Sequence, residues 1–411
     1  MRKVFGIVLF AALGWQSHAQ INYPVKVMTW NVLNWPESNL APDTTARCPA
    51  YRTVVNYVKP DILVTSENRS YNGVQIFLNQ VMNTGSYHYE AGTFINGPDT
   101  DNSIYYRDSL FHFISNVPIP TALRDISHYT LVFIPTGDTL HIFSMHLKAS
   151  QGYEPERAAE IAQLRQVTNQ FAAGTNFLFV GDFNIYETAE PAYQSMLYNT
   201  PNNEGHVNDV ITLSGVWNKP AYAHFHTQST HYAASGGFSG GGMNDRFDMI
   251  LLSDAVLQPT GFYYVPGSYL NFGNDGNHYD HQINYNTNSA VPMNVADALY
   301  DASDHIPVII DLLVGPTASI EEQAELPIDV NIYPVPVKEK LSLQMTVKKQ
   351  ANVEYSLVDL LGRNIFTSDY EPYAPGQHVI PLDLKGLNEG MYFVLIKLDN
   401  YLIVKKILIT L

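Results

Sequence analysis

The chain has little cysteine and little positive charge, and both shortages exclude classes of protein. Cys48 is the single cysteine among 411 residues, so neither an intrachain disulfide framework nor a thiolate metal cage can form. Against 39 acidic residues stand 23 basic ones, and the net charge is −16. A protein this acidic does not hold nucleic acid or a membrane surface by bulk positive charge. Phosphate-containing molecules are still allowed as substrates.

Long apolar runs are absent beyond the N-terminus. No later stretch is apolar over 18 or more residues, so we expect no stable membrane insertion. Arg2 and Lys3, an apolar run to about Leu13 and small residues before Gln20 predict a secretory signal peptide over 1–19. No cysteine follows the cleavage position, which argues against a lipid anchor. We therefore expect an exported monomer.

Composition divides the rest of the chain into two parts. Residues 20–316 hold 12 basic and 27 acidic side chains, a net charge of −15, so the acidity belongs to this part. The polar, acidic stretch 317–327 predicts a linker. Residues 328–411 show short alternating segments separated by turns, which predicts a small all-β sandwich.

Strand-like and helix-like segments alternate within 20–316. Helices are predicted where Tyr51, Val54, Val55 and Val58 recur at helical spacing, and after Pro155. Strands are predicted over 25–30, 62–66, 130–134, 140–145, 177–180, 249–252 and 308–312. This mixture of hairpins and helices predicts an α+β fold with sheets covered by helices. The Gly-, Asn-, His- and Tyr-rich stretch 222–300 predicts long loops.

Polar side chains stand at the ends of these predicted strands, where separate strands can bring them into one cleft. They are Asn31, Glu67, His146, Asp182, Asn184, Asp248, Asp304 and His305. Hard oxygen ligands suit Mg²⁺, with Mn²⁺ or Ca²⁺ as alternatives. A divalent ion near imidazoles and amides can clamp and polarise a phosphate, so the set favours metal-assisted phosphoester hydrolysis.

The ordered motifs resemble the endonuclease/exonuclease/phosphatase superfamily, the deoxyribonuclease I-like fold, over about residues 25–312. The residues that carry the resemblance are Thr29-Trp30-Asn31, Pro60-Asp61-Ile62 followed by Glu67, Ser103 to Arg107, His146-Leu147, Gly181-Asp182-Phe183-Asn184, Arg246-Phe247-Asp248 and Ser303-Asp304-His305. The resemblance implies a four-layer α/β/β/α sandwich and a divalent-metal-dependent phosphodiesterase.

The resemblance also implies a role for each site residue. Asn31, Glu67 and Asp304 would bind the metal. Asp182 would orient or deprotonate the attacking water, and Asn184 would fix both the phosphate and this aspartate. His305 would bind the phosphoryl oxygens, and His146 would contact the phosphate or protonate the leaving oxygen.

Four further residues complete the predicted site. Asp248 would orient one of the two histidines, and the sequence leaves open which one. Tyr106 and Arg107 would contact substrate. Lys148 is a further substrate candidate, because a cation near the metal can offset the local acidity.

Export points to an endonuclease that hydrolyses extracellular DNA or RNA. A sphingomyelinase-like enzyme acting on phospholipid, or another phosphoesterase of the same fold, is the alternative. A lipid enzyme should carry an apolar membrane-entry hairpin, and the apolar segments 262–265 and 269–270 leave that open. An inactive surface binding protein is the third hypothesis.

The C-terminal part resembles the sorting domain of the type IX secretion system of Bacteroidetes. The resemblance rests on Ile332-Tyr333-Pro334-Val335-Pro336 and on the segments 357–363 and 387–392. Val335 stands where that family usually has Asn. The resemblance implies recognition by the type IX machinery and export through the outer membrane, followed by release or surface attachment.

Several of these residues have simpler interpretations. Glu67 fits a solvated loop acid, Asn31 a turn cap, and Asp248 a buried partner of Arg246. Loop histidines such as His224, His226, His231, His278 and His281 fit exposed loop positions better than an extra metal site. The segment 274–277 fits a turn better than a calcium loop.

Overall fold

The computed structural model describes residues 22–36, 44–199, 204–315, 328–359, 364–398 and 401–410. Within these ranges the chain forms two compact units, one up to residue 315 and one from residue 328. The predicted signal peptide (1–19) and linker (317–327) lie outside the described residues. None of the described helices is long and apolar enough to cross a membrane.

The N-terminal unit alternates strands and helices. In chain order its elements are β1 (Tyr23–Trp35), α1 (Thr44–Val58), β2 (Ile62–Asn68), α2 (Tyr71–Gln80), β3 (Tyr89–Ala91), β4 (Asp101–Arg107), β5 (Phe111–Ile119), β6 (Ile126–Phe133), β7 (Thr139–His146), α3 (Glu154–Thr168), β8 (Phe177–Asp182), α4 (Pro191–Leu197), β9 (Asp248–Leu252), β10 (Phe262–Tyr264), β11 (Leu270–Asn271), α5 (Met293–Ala302) and β12 (Val308–Val314). Short 3₁₀ helices cover Met82–Thr84, Pro220–Phe225 and Asp254–Leu257.

These strands form two sheets. One has the order β10-β12-β1-β2-β4-β3, with β11 also paired to β12, and the other has the order β5-β6-β7-β8-β9. Strand β1 is parallel to β2 and β7 is parallel to β8, whereas the other described neighbours are antiparallel.

Three apolar layers hold the unit together. Helices α1, α2 and α5 pack on the outer face of the seven-stranded sheet. Helices α3 and α4 pack on the outer face of the five-stranded sheet. The two sheets pack face to face through a third apolar layer. This arrangement is a four-layer α/β/β/α sandwich, and the predicted fold class is confirmed.

Strand β1 shows why the sequence folds in this way. Val25 and Val27 point into the layer between the sheets, while Met28 and Trp30 point toward the helices. Both faces of the strand are buried, which explains its nearly continuous apolar sequence. The next positions on the face between the sheets are Thr29 and the buried Asn31, so the apolar layer becomes polar toward the carboxyl end of the strand.

Strands β7 and β8 change in the same direction. In β7, Leu140 and Ile142 belong to the layer between the sheets, and the same face ends in His146. In β8, Leu178 and Val180 precede the buried Asp182. In each of these strands, the residues on the face between the sheets change from apolar to polar along the strand, and this change forms the polar end of the sandwich.

The stretch predicted as long loops contains more regular structure than expected. Most of helix α5 lies within it, and the buried Val295, Ala298, Leu299 and Ala302 of this helix follow helical spacing. This helical signal is short and is surrounded by Gly- and Asn-rich sequence, which hides it. Strand β10 also lies in this stretch and pairs with β12.

The C-terminal unit is entirely β among the residues described from 328 onward. Its strands are β13 (Ile328–Tyr333), β14 (Lys340–Val347), β15 (Ala351–Asp359), β16 (Asn364–Thr367), β17 (Glu371–Tyr373), β18 (Gly376–Asp383), β19 (Gly390–Leu398) and β20 (Tyr401–Ile409). They form two antiparallel sheets, β13-β14-β18 and β16-β15-β19-β20, with β17 on β15. One apolar core contains Leu343 of the first sheet and Val394 of the second, as the predicted sandwich requires.

A partly buried pair of histidines makes the N-terminal unit sensitive to acid. His128 Nε2 lies 2.9 Å from His141 Nδ1, so one ring donates to the other. Burial and the neighbouring His141 lower the pKa of His128 to about 4, against about 6.5 in an unfolded chain. Below pH 6.5 the unfolded chain binds protons that the folded chain does not. We expect the free energy of unfolding to fall by about 2 kcal/mol between pH 6.5 and 4 because of this pair.

The substitution His128→Gln should reduce that loss, as measured by urea unfolding across this pH range. The substitution His112→Gln removes an exposed histidine of β5 and is the matched control. An equal acid sensitivity in the wild type and in H128Q would contradict the role of the pair.

Candidate active site

Strand register places three of the predicted residues side by side. His146 at the end of β7 is the lateral neighbour of Asp182 at the end of β8, and Asp182 is the neighbour of Asp248 at the start of β9. All three lie on the face between the sheets. The five-stranded sheet therefore contributes a row of one imidazole and two carboxylates.

The seven-stranded sheet contributes the opposite wall. Asn31 ends the regular pairing of β1 with β2, and Glu67 lies near the end of β2. The loop before β12 is tied to β1, because Trp30 Nε1 donates to the His305 carbonyl oxygen at 2.8 Å. Ser303 Oγ likewise donates to the Asn31 carbonyl oxygen at 2.7 Å. These bonds bring Asp304 and His305 to Asn31.

Asp182 lies at the centre of the cluster. Its Oδ2 accepts from Asn31 Nδ2 at 3.0 Å and lies 3.6 Å from His146 Nε2 and 3.7 Å from His305 Nε2. Its Oδ1 accepts from the Asn184 backbone N–H at 3.0 Å. Burial raises the pKa of Asp182 to about 7, although the charge of His305 opposes the shift. The carboxylate can therefore exchange a proton near neutral pH.

His305 and Asp248 form a tight buried pair. His305 Nδ1 lies 2.7 Å from Asp248 Oδ2, which leaves Nε2 facing Asp182. Burial alone would lower the pKa of His305, but the charges of Asp248, Asp182 and Asp304 raise it well above its usual range. Asp248 therefore holds His305 and not His146, which answers a question that the sequence left open.

Arg246, which the sequence offered as an alternative partner of Asp248, binds Asp209 instead. Arg246 makes two hydrogen bonds to Asp209, at 2.8 and 2.9 Å. Tyr193 also donates to Asp209, at 2.7 Å. This buried group stabilises the entry to β9 and leaves Asp248 to His305.

His146 has the opposite electrostatic character to His305. Burial and the positive charges of Arg124, His305 and Lys148 lower its pKa well below the usual range, so the ring is neutral. Its Nδ1 lies 3.8 Å from Glu67 Oε1 and has no hydrogen-bond partner among the described residues.

Glu67 is held in a sparsely populated backbone conformation. Its φ is 64°, in the left-handed region that non-glycine residues seldom adopt. Its side chain accepts from Asn31 Nδ2 at 2.9 Å and from the Asn34 backbone N–H at 2.8 Å. Burial, together with the charge of Asp304, raises the pKa of Glu67. These bonds and this backbone conformation argue against a solvated loop acid.

The donor set fits a hard divalent cation. Two groups in the described part of the chain bring potential ligand atoms close together: Glu67, His146 and Asp182 form one, and Asp182, Asp248 and His305 form the other. Asp304 Oδ1 is buried without a hydrogen-bond partner among the described residues. Its Oδ2 accepts from the Ser239 backbone N–H. Clustered buried carboxylates with an unpaired oxygen favour a bound cation.

Tyr106 and Arg107 are not brought to this cluster. Strands β2 and β4 are antiparallel, and Tyr106 is paired with Ile62 at the start of β2, whereas Glu67 lies near its end. Arg107 donates to Asp61 at 2.7 Å and lies over the ring of Tyr87. Their predicted contact with substrate in this cleft therefore lacks structural support.

Lys148 does lie beside the cleft. It follows His146 by two residues, and its charge is one cause of the lowered His146 pKa. Its Nζ is 3.9 Å from the Tyr153 ring, which is 41% exposed.

The sequence interpretation missed two arginines beside the cleft. Arg124 Nη2 lies 3.0 Å from Asp99, and Arg69 Nη1 lies 4.0 Å from the same carboxylate. Arg124 also approaches the His146 carbonyl oxygen at 3.5 Å, and Arg69 donates to Asn34 at 3.1 Å. Arg69 follows Glu67 by two residues, which is the one signal that the sequence offered. Arg124 belongs to a loop distant in sequence from every motif.

Gln228 was also missed. Its side-chain amide nitrogen lies 2.7 Å from His305 Nε2. No motif marked this residue, since it lies in the loop-rich stretch, distant in sequence from Asp248 and His305.

The loop histidines do not form a further metal group among the described residues. His226 is buried, with its two ring nitrogens near the carbonyl oxygens of Met243 and Trp217. His278 pairs with Asp275, which also accepts from the backbone of Asn277 and Ser289. The segment 274–277 contains a bend at Gly276, whose N–H donates to Asn274 Oδ1. His226, His231 and His278 are buried and not exposed as expected.

A buried arginine holds the backbone on which the site is built. Arg47 of α1 donates to the carbonyl oxygens of Val32 and Leu33 in β1 and of Ala302 at the end of α5. It therefore ties together the two segments that carry Asn31 and Asp304. The cost of burying its charge is offset by these hydrogen bonds and by the Trp35 and Tyr51 rings.

Comparison with known proteins adds one family match. Residues 331–410 match the family described as secretion system C-terminal sorting domain, so the predicted sorting domain is confirmed. Export through the outer membrane and a cell-surface or secreted location follow from such a domain. A search of curated proteins finds no match.

Solved structures of similar fold include the human Nocturnin catalytic domain, at 20% identity, 71% coverage of this chain, 95% coverage of that chain and a TM-score of 0.46. They also include a mannosyl-6-phosphatase of Bacteroides thetaiotaomicron, at 16% identity, 70% and 99% coverage and a TM-score of 0.47. An endonuclease/exonuclease/phosphatase family protein of the same organism has 15% identity, 71% and 98% coverage and a TM-score of 0.45. That family is the one the sequence motifs resemble.

The fit to a cation predicts a stabilising effect of Mg²⁺ that does not depend on activity. An ion that binds only the folded protein, at 100 times its dissociation constant, adds about 2.7 kcal/mol to the free energy of unfolding. We expect Mg²⁺ to raise the melting temperature of the wild type, and EDTA to reverse the rise.

The substitutions Glu67→Gln and Asp304→Asn should weaken this response, as measured by differential scanning calorimetry over a Mg²⁺ titration. The substitution Asp254→Asn, at a carboxylate whose side chain is 50% exposed, is the control. Equal Mg²⁺ responses in all three variants would contradict the assignment of the ligands.

Proposed function

We propose that the N-terminal unit is a divalent-metal-dependent phosphodiesterase, an endonuclease that hydrolyses extracellular DNA or RNA. The observation that carries the proposal is the position of Asp182, between a neutral His146 and a charged His305 and close to the Glu67 carboxylate. The charge of Asp304 acts on both Glu67 and His305. This combination supplies a proton acceptor, hydrogen-bond donors for phosphoryl oxygens and ligands for a cation.

Asp182 acts as the base in this proposal. Hydrogen bonds from Asn31 and Asn184 to its two oxygens fix the carboxylate. A pKa of about 7 is suited to taking a proton from the attacking water near neutral pH. Asn184 also donates from its side chain to the Leu147 carbonyl oxygen, so it ties Asp182 to the segment after His146. Its second amide N–H is assigned to the phosphate.

The two histidines bind the phosphoryl group. His305, held through Nδ1 by Asp248, presents Nε2–H to oxygens that gain negative charge as the bond to phosphorus forms. His146 is neutral, so it donates one N–H without releasing a proton easily. This favours contact with the phosphate over protonation of the leaving oxygen.

The metal site is assigned to Asn31, Glu67 and Asp304. The ligand atom of Asn31 would be Oδ1, which also accepts from the Leu33 backbone N–H. A divalent cation held there, Mg²⁺ in our proposal with Mn²⁺ or Ca²⁺ as alternatives, would supply positive charge that polarises the phosphoryl group. The unpaired oxygen of Asp304 and the raised pKa of Glu67 support this assignment.

Cations beside the cleft favour a polymeric substrate. Arg69 and Arg124 share Asp99, and Arg124 also reaches the carbonyl oxygen of Leu147, the residue before Lys148. A polynucleotide carries a phosphate on each side of the bond that is cut, and guanidinium groups pair well with phosphate oxygens. The acidity of the rest of the unit makes this binding weak and dependent on salt.

The structure offers less support for a phospholipid substrate. The apolar segment that suggested a membrane-entry hairpin contributes Phe262 and Tyr264 to β10, where both side chains are buried against the sheet. Leu270 is exposed, but it stands in a two-residue strand paired with β12.

The C-terminal domain defines where the enzyme works. A sorting domain implies the secretion machinery as a partner, which in our proposal is the type IX system. A predicted signal peptide over 1–19 would direct the first transport step. Either release or surface attachment would place the active site outside the cell, where polynucleotides are accessible substrates.

The function is tested with the purified full-length protein on plasmid DNA, RNA, sphingomyelin, bis-p-nitrophenyl phosphate and p-nitrophenyl phosphate. We expect cleavage of DNA or RNA with Mg²⁺ and loss of cleavage in EDTA. Equal turnover in EDTA would contradict the metal requirement. Cleavage of sphingomyelin alone would favour the lipid enzyme, and turnover of the monoester alone would favour a phosphatase. Binding of nucleic acid without any turnover would favour an inactive binding protein.

The substitution Asp182→Asn tests the base. Loss of a positioned proton acceptor is expected to lower kcat about 10²- to 10⁴-fold. Because the substitution removes a buried charge next to other carboxylates, the melting temperature in EDTA should not fall. Asp254→Asn is again the control and should leave kcat unchanged. A D182N enzyme with wild-type kcat would contradict the role of Asp182.

A further inference from the structure

One side chain close to His305 has no part in the mechanism so far. The amide of Gln228 lies 2.7 Å from His305 Nε2, closer than Asn31 at 3.5 Å and Asp182 at 3.7 Å. Nδ1 of the same ring is already engaged by Asp248. Gln228 therefore makes the shortest contact to the ring nitrogen that faces the cleft.

The backbone of Gln228 is fixed by the segments that carry Asp248 and His305. Its carbonyl oxygen accepts from the backbone N–H groups of Asn244 and Asp245, each at 2.9 Å. The preceding residue, Thr227, accepts through Oγ1 from the Asp248 backbone N–H at 3.0 Å. The Thr227 carbonyl oxygen accepts from Ile306 N–H at 2.8 Å. The backbone around Gln228 is thus bound both to Asp248 and to the residue after His305, so the position from which the Gln228 side chain extends is fixed.

A neutral amide is chemically suited to this position. Its nitrogen, which faces the ring, can donate to an unprotonated Nε2. A 180° rotation of the terminal amide, which moves no other group, brings its oxygen into place to accept from an Nε2–H group. A carboxylate here would add negative charge where the phosphate must bind. A hydrocarbon side chain would leave Nε2 with only the longer contacts to Asn31 and Asp182 until substrate arrives.

We propose that Gln228 is a positioning residue, which holds His305 Nε2 toward the phosphoryl site in the free enzyme and yields this hydrogen bond to a phosphoryl oxygen when substrate binds. The proposal rests on the proposed function for its second half. Its first half concerns the free protein and is independent of any reaction.

The test compares Gln228→Met, which keeps the volume but removes the amide, with Gln228→Glu, which keeps an acceptor. Gln194→Met is the control, because the amide of this exposed residue on α4 donates only to the Thr188 carbonyl oxygen. Proteins labelled with ¹⁵N in the histidine rings are examined by NMR in EDTA, and a His305→Asn variant identifies the His305 signals.

We expect the His305 Nε2 signal to shift in Q228M and to stay near its wild-type position in Q228E and Q194M. In kinetic assays Q228M should lower kcat about 10- to 100-fold, since misplacement of a catalytic group has effects of this size, with KM changed less than threefold. Q228E should instead raise KM, because its charge repels the phosphate. If Q228M does not fold, the KM and the His305 signal of Q228E decide the matter.

An unchanged His305 signal in Q228M would overturn the proposal, as would an equal KM in Q228E and the wild type. A wild type that hydrolyses no phosphoester would end the proposed function, yet the NMR comparison would still decide whether Gln228 positions the imidazole.

Discussion

Repulsion among buried carboxylates is the constraint around which the N-terminal unit is organised. Glu67, Asp182, Asp248 and Asp304 converge where little water can screen them, and burial raises the pKa of two of them. Such a cluster opposes folding unless other interactions offset it. The charged His305 offsets part of it, and a divalent cation is the group best suited to offset the rest. The same carboxylates therefore give the site its chemistry and lower the stability of the fold.

The apolar packing of the four-layer architecture stabilises the fold against the repulsion within this cluster. Three apolar layers pack the strands at one end of the sandwich, and the same strands carry the polar residues at the other end. Buried arginines then hold the segments that carry the site. Arg47 binds the end of β1 and the end of α5, and Arg246 binds Asp209 near the entry to β9. The site residues lie on strand ends and on segments anchored in this way.

The surface charge and the location of the protein fit one another. An acidic unit cannot hold a polyanion tightly, but a hydrolase must release its products, and a few cations beside the cleft suffice for transient contact. A sorting domain directs the chain out of the cell, and under the proposed function the acidic enzyme would meet nucleic acid there as a substrate and not as a permanent partner.

The sequence alone determined seven strands of the N-terminal unit, the polar residues at their ends, the overall α+β class and the sorting domain, because these depend on local alternation and on short motifs. Only the tertiary structure decided that Asp248 binds His305 and that Arg246 binds Asp209. It also decided that Tyr106 lies at the end of its strand away from Glu67. The position of Gln228 beside His305 likewise had no signal in the sequence. Local sequence sets which face and which end of a strand a side chain occupies, whereas lateral register and the path of long loops set its neighbours, and these depend on contacts between residues far apart in the chain.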